Sequence, residues 1–418
     1  MLPSIPVTTP DVLLDFLVDN SRSLLGSEEA PVMLSLVAEG GDEESVAVPG
    51  HPGQQALTRL GLFGANGAGK SNTLAALGDM ATAVLDSCRS WTGWDQLPHT
   101  PFLLNGASAQ RSFYEVNLLL NGVRWTYGFE LSAHRVEAEW IHSYPHGDRH
   151  VWLDRDATRP EPMTWPDGGL TNVAALQQVT RDTALVLSAA GAIGERTLAP
   201  LFHWFATVTG PFTPHDQDQQ AKTLRTLSGD AVLRERLGAL LNVIDPLLTG
   251  ITVDPLTREV LFLHHATDSG TATALPWAAL SRGTRSAAAA LHLAVHALDH
   301  GHRLLLDDFG AGLHPRLSAE IVRLFAAPWI NPRGAQLILA THDTSLLGPS
   351  YAPVLAPHEV VLVAKDAAGA TSLTPLASFD PGKDEDVQRT YLSGAFGGAP
   401  AIVDGALGRR LSSAASGS

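Results

Sequence analysis

An α/β fold is what this sequence predicts: a mostly parallel sheet covered by helices and interrupted by an inserted antiparallel unit. Three observations carry that prediction. A glycine-rich turn, Gly64–Ser71, stands between an apolar run, Leu57–Phe63, and a stretch that puts Leu74, Leu77, Ala81, Val84 and Leu85 on one helical face. Late in the chain, helix and strand patterns alternate through Ala287–Leu298, Arg303–Leu306, Leu317–Ala326, Gln336–Ala340 and Glu359–Ala364. Such alternation belongs to a parallel sheet layered with helices. Between these regions, Phe113–Leu120 and Val123–Leu131 flank Asn121-Gly122, a two-residue hairpin signal.

The elements follow in order. Leu13–Val18 and Val32–Val37 pattern as strands joined by a polar connection, Asp19–Pro31. A hydrophilic stretch, Glu39–Gln55, leads to the strand before the glycine-rich turn, and the helix after that turn is expected to end near Cys88. Ser90–Pro101 carries Trp, Gly and Pro and is expected as loop. After the hairpin, Val136–Tyr144 and His150–Asp154 extend the antiparallel pattern, and Thr158–Gly169 is loop. Leu176–Ala190 and Thr197–Thr207 are expected as helices, and Pro211–Gln220 as a polar, mobile segment. Ala231–Val243 has helical spacing; Ile251–Val253 and Glu259–His264 have strand spacing. Ser412–Ser418 is small and polar and is expected to be disordered.

Composition narrows the function. With 418 residues and 44% apolar content the chain can bury a large core. No uncharged apolar run reaches ~18 residues, so no transmembrane helix is expected. Met1–Pro6 lacks the basic start of a signal peptide. The single cysteine, Cys88, excludes an internal disulfide and suits a reducing cytoplasm. A formal charge of −15 disfavours a broad DNA-binding face. The nearest approach to a basic patch, Arg225, Arg234 and Arg236, is diluted by Asp230 and Glu235.

The chemistry starts at Gly64–Ser71, which fits G-x-x-x-x-G-K-[ST], the phosphate-binding P-loop. Gly64, Gly67 and Gly69 are expected to take positive φ and let main chain approach an anion. Residues Gly64, Ala65, Asn66, Gly67, Ala68, Gly69, Lys70, Ser71 and Asn72 form the expected cradle, and the following helix adds its positive end. Lys70, one of only four lysines, would reach the β- and γ-phosphates of ATP, and the Ser71 hydroxyl would ligate Mg²⁺. Leu304-Leu305-Leu306-Asp307-Asp308 is an apolar run closed by two carboxylates. Acids at such a strand tip face the crevice where open α/β sheets bind ligands. Asp307 would help hold Mg²⁺, and Asp308 would orient or deprotonate the attacking water. Leu280-Ser281-Arg282-Gly283-Thr284-Arg285 opens an Ala-rich helix. There, Ser281 and Gly283 make a second anion site that in a dimer would cap the other copy's γ-phosphate; the same residues also fit an ordinary N-cap. His342, after Gln336–Thr341, could donate to the γ-phosphate or the attacking water.

Two further clusters lie outside this set. His292, His296 and His300 recur every four residues, with His302 just after; the stripe fits zinc or, alternatively, a polar helix face or a dimer contact. Asp380–Asp386 is acid-rich and is expected as a solvated loop.

In order, the motifs are the P-loop, Leu-Ser-x-Gly-Thr, Leu-Leu-Asp-Asp, Leu-His-Pro at 313–315 and Ala-Thr-His-Asp at 340–343. This resembles ATP-binding-cassette heads of the SMC and RecF kind. It more closely resembles the abortive-infection and OLD-related AAA-type ATPases of bacterial defence loci, the RloA and AriA sort. Further tokens of that resemblance are Pro101–Leu104, Tyr127-Gly128-Phe129-Glu130 and Tyr391–Pro400. It implies a P-loop NTPase fold, an ABC/SMC-like ATPase head. It also implies Mg-ATP-dependent homodimers or larger homo-oligomers, and often a separate nuclease or toxin effector. Asn20–Ser23 would touch the nucleotide by the same resemblance. Departures are Asp308 where such heads carry Glu, Gly310-Ala311-Gly312 in the following loop, Arg282 where Gly, Asp or Gln is common, and Ala395 where Arg is common. These favour binding and dimerisation with slow hydrolysis. The expected division is an ATPase core lobe at 1–90, an inserted hairpin and helical subdomain at 100–270, the second core segment at 271–400 and a tail at 401–418. The leading expectation is an ATPase acting as sensor or regulator in antiphage defence. The alternatives are a RecF-like ATPase acting on DNA and a non-hydrolysing ATP-gated scaffold.

Overall fold

The computed structural model describes residues 9–27, 29–39, 45–48, 53–92, 96–104, 106–265, 272–348, 354–382, 385–400 and 405–415. Met1–Pro6, part of the hydrophilic stretch 39–55, residues 93–95 of the expected loop and residues 383 and 384 of the acid-rich segment lie outside the described residues.

The first half of the chain runs β1 (Val12–Asp19), β2 (Val32–Ser35), β3 (Val37–Glu39), β4 (Val46–Ala47), β5 (Gln54–Ala56), β6 (Arg59–Gly64) and α1 (Lys70–Ser90). There follow β7 (Ser112–Leu120), β8 (Val123–Leu131), β9 (Val136–Tyr144), β10 (His150–Asp156) and β11 (Met163–Thr164). Next come α2 (Val173–Val179), α3 (Val186–Ile193), α4 (Ala199–Ala206), β12 (Val208–Phe212), α5 (Gln217–Gly229) and α6 (Ala231–Ile244). The remainder is β13 (Leu248–Val253), β14 (Val260–His265), β15 (Ala272–Pro276), α7 (Arg282–His300), β16 (Arg303–Phe309), α8 (Pro315–Ala326), β17 (Gln336–Thr341), β18 (Val360–Lys365), β19 (Thr371–Pro375), α9 (Val387–Leu392) and α10 (Ala406–Ala415).

A six-stranded sheet ordered β12-β16-β17-β6-β18-β19 is parallel except at β19. Its inner strands, β16, β17, β6 and β18, are buried on both faces, and alternate residues enter two different cores. Leu60, Leu62, Leu305, Ile338 and Ala340 pack with α1 and the antiparallel layer. Leu304, Leu306, Leu337 and Leu339 pack under α7 and α8. This is why the sheet strands read as unbroken apolar runs. A seven-stranded antiparallel sheet, β11-β10-β9-β8-β7-β1-β2, covers the first face. Its hairpin turn takes φ 50° at Asn121 and 77° at Gly122, the left-handed pair that Asn-Gly supplies. β1 thus pairs with the hairpin strand β7 and β2 adds to β1 at the edge, while β6 joins the parallel sheet. Gln336 ties the two layers: its Nε2 donates to the carbonyls of Leu13 and Leu57 at 2.9 Å each, and its Oε1 accepts from Leu13 N at 2.7 Å.

Four expectations are corrected. The single helix over Leu176–Ala190 is broken into α2 and α3, because Glu139 accepts the amides of Val186 and Leu187 at 2.6 and 3.0 Å and starts a new helix there. The segment expected as polar and mobile, Pro211–Gln220, instead closes β12 and opens α5. Pro211 is tolerated because β12 is an edge strand bonded only to β16. Helix α10 extends to Ala415, so the expected disorder does not begin at Ser412. Gly64 closes β6 and lies outside the positive-φ glycines; it is required because a Cβ there would stand 2.2 Å from Val363 O.

Candidate nucleotide site

Parallel register brings three strand tips together. β17 lies between β6 and β16, so the turn after β6, the acids ending β16 and the residue after β17 open into one crevice. The crevice has a volume of about 620 Å³ and is lined by Asn66, Gly67, Gly69, Lys70, Ser71, Asn72, Thr213, Asp307, Asp308, Ala340, His342 and Lys365.

The loop is bound from behind as well as curled from within. Gly67 and Gly69 take φ 77° and 115°, and a Cβ on Gly69 would fall 2.1 Å from Thr371 Oγ1. That hydroxyl donates to Ala68 O at 2.9 Å and shares a 2.8 Å hydrogen bond with Ser23 Oγ. Asn72 Nδ2 donates to Ser23 Oγ at 2.7 Å. Ala68 is buried, and Gly64 and Ala65 face the lysine with their carbonyls. Lys70 Nζ donates to Gly64 O at 2.8 Å and Ala65 O at 3.0 Å. The first amides of α1 have no intrahelical acceptor and are free to meet an anion.

The acids sit on a broken ladder. Pairing of β16 with β17 shifts between Leu306 and Phe309, and Thr341 Oγ1 re-ties it by donating to Phe309 O at 2.7 Å. Inside that irregularity Asp307 Oδ1 accepts from Ser71 Oγ at 3.0 Å. A hydroxyl and a carboxylate side by side are the hard oxygen donors that suit Mg²⁺. Asp308 takes φ 50°, and its Oδ2 lies 3.6 Å from His215 Nε2. Desolvation lowers the Lys70 pKa, and Asp307 and Asp308 act against it. Desolvation and then Lys70 lower the pKa of His342, with Asp308 and Asp307 opposing, so the imidazole is neutral at pH 7.

Other expected residues stand elsewhere. Ser281 caps α7, accepting Thr284 N at 3.1 Å, and neither it nor Gly283 lines the crevice of its own chain. Asn20 has its amide filled by Ala107 O, Gln110 O, Arg111 O and Phe102 N, and Arg22 pairs with Asp79 at 2.8 Å. Of Asn20–Ser23, only Ser23 supports the loop. His292 turns to Thr223, while the rings of His296, His300 and His302 stand 4.4–5.4 Å apart. Among the described residues no group of three or more His, Cys, Asp or Glu is arranged to hold a metal ion. Thr213, His215, Lys365 and Thr371 were not expected at the site. Thr213, His215 and Thr371 lie in segments of weak pattern, and the pairing of β12 with β16 and of β18 with β19 delivers them; Lys365 ends the predicted strand at 359–364, and the pairing of β18 with β6 brings it to the crevice.

A strand, a glycine-rich turn and a helix, with an acidic strand tip two strands away, define a P-loop NTPase. The family model described as "AAA domain, putative AbiEii toxin, Type IV TA system" matches residues 60–348, and the chain belongs to that family. It is an ATPase of the AAA kind. One solved structure, described as the SmcHead bound to the C-winged helix domain of ScpA, aligns with TM-score 0.41 and 12% identity, covering 87% of this chain and 96% of that one. Another, the recombination mediator protein RecF-ATPrS in the RecFOR pathway, aligns with TM-score 0.33 and 13% identity, covering 88% and 100%. No curated protein matches.

Proposed function

We propose that the chain is a Mg-ATP-binding switch that closes as a homodimer on ATP and reopens on slow hydrolysis. The observation that carries this is the shared crevice of Lys70, Ser71, Asp307, Asp308 and His342. In this reading the main-chain donors of Gly64–Asn72 grip the phosphates and Lys70 exchanges its carbonyl partners for them. Ser71 and Asp307 hold Mg²⁺, which when bound neutralises charge on the β- and γ-phosphates. Asp308 orients the water, and His342, neutral, donates a hydrogen bond at the γ-phosphate end. The Ser281 and Gly283 amides cap the other copy's nucleotide. The core would comprise 1–90 and 271–400, with 100–270 inserted and 401–418 as tail. In this reading the protein is a cytoplasmic sensor or regulator in antiphage defence that works through a separate toxin or nuclease effector; the family description, "putative AbiEii toxin, Type IV TA system", supports the defence setting alone.

Lys70→Ala is expected to abolish binding of an ATP analogue with Mg²⁺; retained affinity overturns the assignment. Phosphate release should fall in Asp308→Ala, and equal rates in wild type, Asp308→Ala and Asp308→Glu would remove the role given to Asp308. ATP-induced dimerisation with no phosphate release would instead mark a non-hydrolysing scaffold.

A further inference from the structure

The crevice sets two lysines, Lys70 and Lys365, against two carboxylates, Asp307 and Asp308, and no arginine lines it. Lys70 donates to the carbonyls of its own loop. Lys365 ends β18 with its side chain exposed, and among the described residues it makes no hydrogen bond and no ion pair. The neighbouring carboxylate is engaged elsewhere: Asp366 Oδ1 accepts Ala370 N at 2.8 Å and closes the turn between β18 and β19. One ammonium against two carboxylates would leave the crevice repelling a polyphosphate, and the second ammonium restores the balance.

Strand register aims Lys365 at the loop. It stands opposite Thr371 across the β18–β19 pair. Residues directly opposite in an antiparallel pair share one face of the sheet, with Cβ atoms about 5 Å apart. On that face Thr371 holds the loop, through Ala68 O at 2.9 Å and Ser23 Oγ at 2.8 Å. On its other side β18 pairs with β6, Val363 beside Gly64, so Lys365 ends its strand level with the start of the loop. Strand order then decides which part of a nucleotide this lysine meets. The strands run β16, β17, β6, β18 across the sheet. The acids end β16 and His342 follows β17, so the Mg²⁺ and γ-phosphate end of the crevice lies on that side. Lys365 lies three strand spacings from the acids, about 14 Å, beyond the loop. A nucleotide with its γ-phosphate toward His342 and its β-phosphate in the loop runs its α-phosphate and ribose the other way.

We propose that Lys365 binds the phosphate nearest the nucleoside in its own copy, so that it holds ADP and ATP alike, while Lys70, Asp308 and His342 act at the terminal phosphate. This rests on the Mg-ATP reading of the crevice and needs no second copy. The contact is the same before and after the γ-phosphate leaves. It is therefore uniform binding, which lowers KM without acting on kcat, and it retains the ADP product. An ammonium on a flexible stem serves as a point charge here, so another cation can replace it.

The test is Lys365→Met, which removes the charge and keeps the stem. Calorimetry with Mg²⁺ should show the Kd for ADP and the Kd for a non-hydrolysable ATP analogue each rising about tenfold. The KM for ATP should rise by a similar factor with kcat held, and Lys365→Arg should stay within about threefold of wild type. The unfolding midpoint without nucleotide should not move, because the side chain is exposed. Wild-type affinity for ADP in Lys365→Met overturns the proposal; if the ATP analogue alone is weakened, the lysine acts at the γ-phosphate instead. A fall in kcat at unchanged KM also overturns it, by placing Lys365 on the transition state. Lys70→Ala in the same assay separates two failures. When it loses the analogue and Lys365→Met does not, only the role of Lys365 falls; when wild type binds neither nucleotide, the reading of the crevice itself falls.

Discussion

At the scale of single residues, conformation decides the choices at this site. Asp308 stands at φ 50°, a region that Asp enters more readily than Glu because its short carboxylate bonds locally. Gly69, at φ 115° with Thr371 Oγ1 in the place of its missing Cβ, has no substitute. Gly69→Ala is expected to abolish ATP-analogue binding in calorimetry. Thr371→Val removes one buried hydrogen bond to the loop, worth about 1 kcal/mol, and should weaken that binding about fivefold. Unchanged affinity in Thr371→Val would show that the loop holds its shape without that bond. Two of the family-like tokens also find their reason in single residues. In Tyr127–Glu130, Tyr127 donates to buried Glu139 at 3.1 Å, Gly128 leaves room for Trp140, and Glu130 pairs with Arg111 at 2.7 Å. In Leu313–Pro315, His314 caps α8 through Arg316 N at 3.2 Å, and Pro315 takes the first helical position.

At the scale of elements, buried titratable groups fix helices. Glu139 lies fully buried on β9, where burial raises its pKa and Arg155, then the amides of Leu187 and Val186, hold against that. Removing it leaves two helix amides of α3 and the Tyr127 hydroxyl without their acceptor, and Arg155, still held by the carbonyls of Arg181, Asp182 and Ala184, without its counter-charge. Glu139→Ala should cost about 3–5 kcal/mol in denaturant unfolding, whereas a loss under about 1 kcal/mol would show that α3 needs no such cap. On α7, His292 is buried against Thr223, and its pKa is pushed down from 6.5 to about 4, first by burial, then by His296, with Asp230 opposing. A folded pKa below the unfolded one gives stability that is complete above pH 6.5 and is lost as pH falls toward 4. The span corresponds to roughly 3 kcal/mol. His302, also held at about 4, acts in the same window. His292→Gln should flatten the fall in unfolding free energy between pH 6.5 and 4; an unchanged slope would assign the acid limb elsewhere.

At the scale of the whole molecule, two layers share one sheet. Gln336, fully buried, bonds β1 and the approach to β6 through three hydrogen bonds, so the antiparallel layer and the nucleotide sheet are expected to unfold together. Gln336→Leu strands three backbone groups and should cost about 3 kcal/mol or more. Its urea midpoint should drop with an unchanged m-value; a second transition would show that the layers are separate folding units. No helix of the described residues is long and apolar enough to cross a membrane.

The alternating apolar runs, the Asn-Gly turn and the motif spacings determined the sheet class, the hairpin and, Thr213 and Lys365 apart, most of the residues that line the crevice, because local periodicity and backbone preference are written residue by residue. The break between α2 and α3, the strand through Gly210-Pro211 and the seating of Thr213, His215 and Thr371 at the loop were decided only in three dimensions. Each depends on a partner from far along the chain: a carboxylate on β9, the edge of β16, a hydroxyl on β19. Sequence spacing carries no record of such partners, since the energy that selects them exists only once the layers have met.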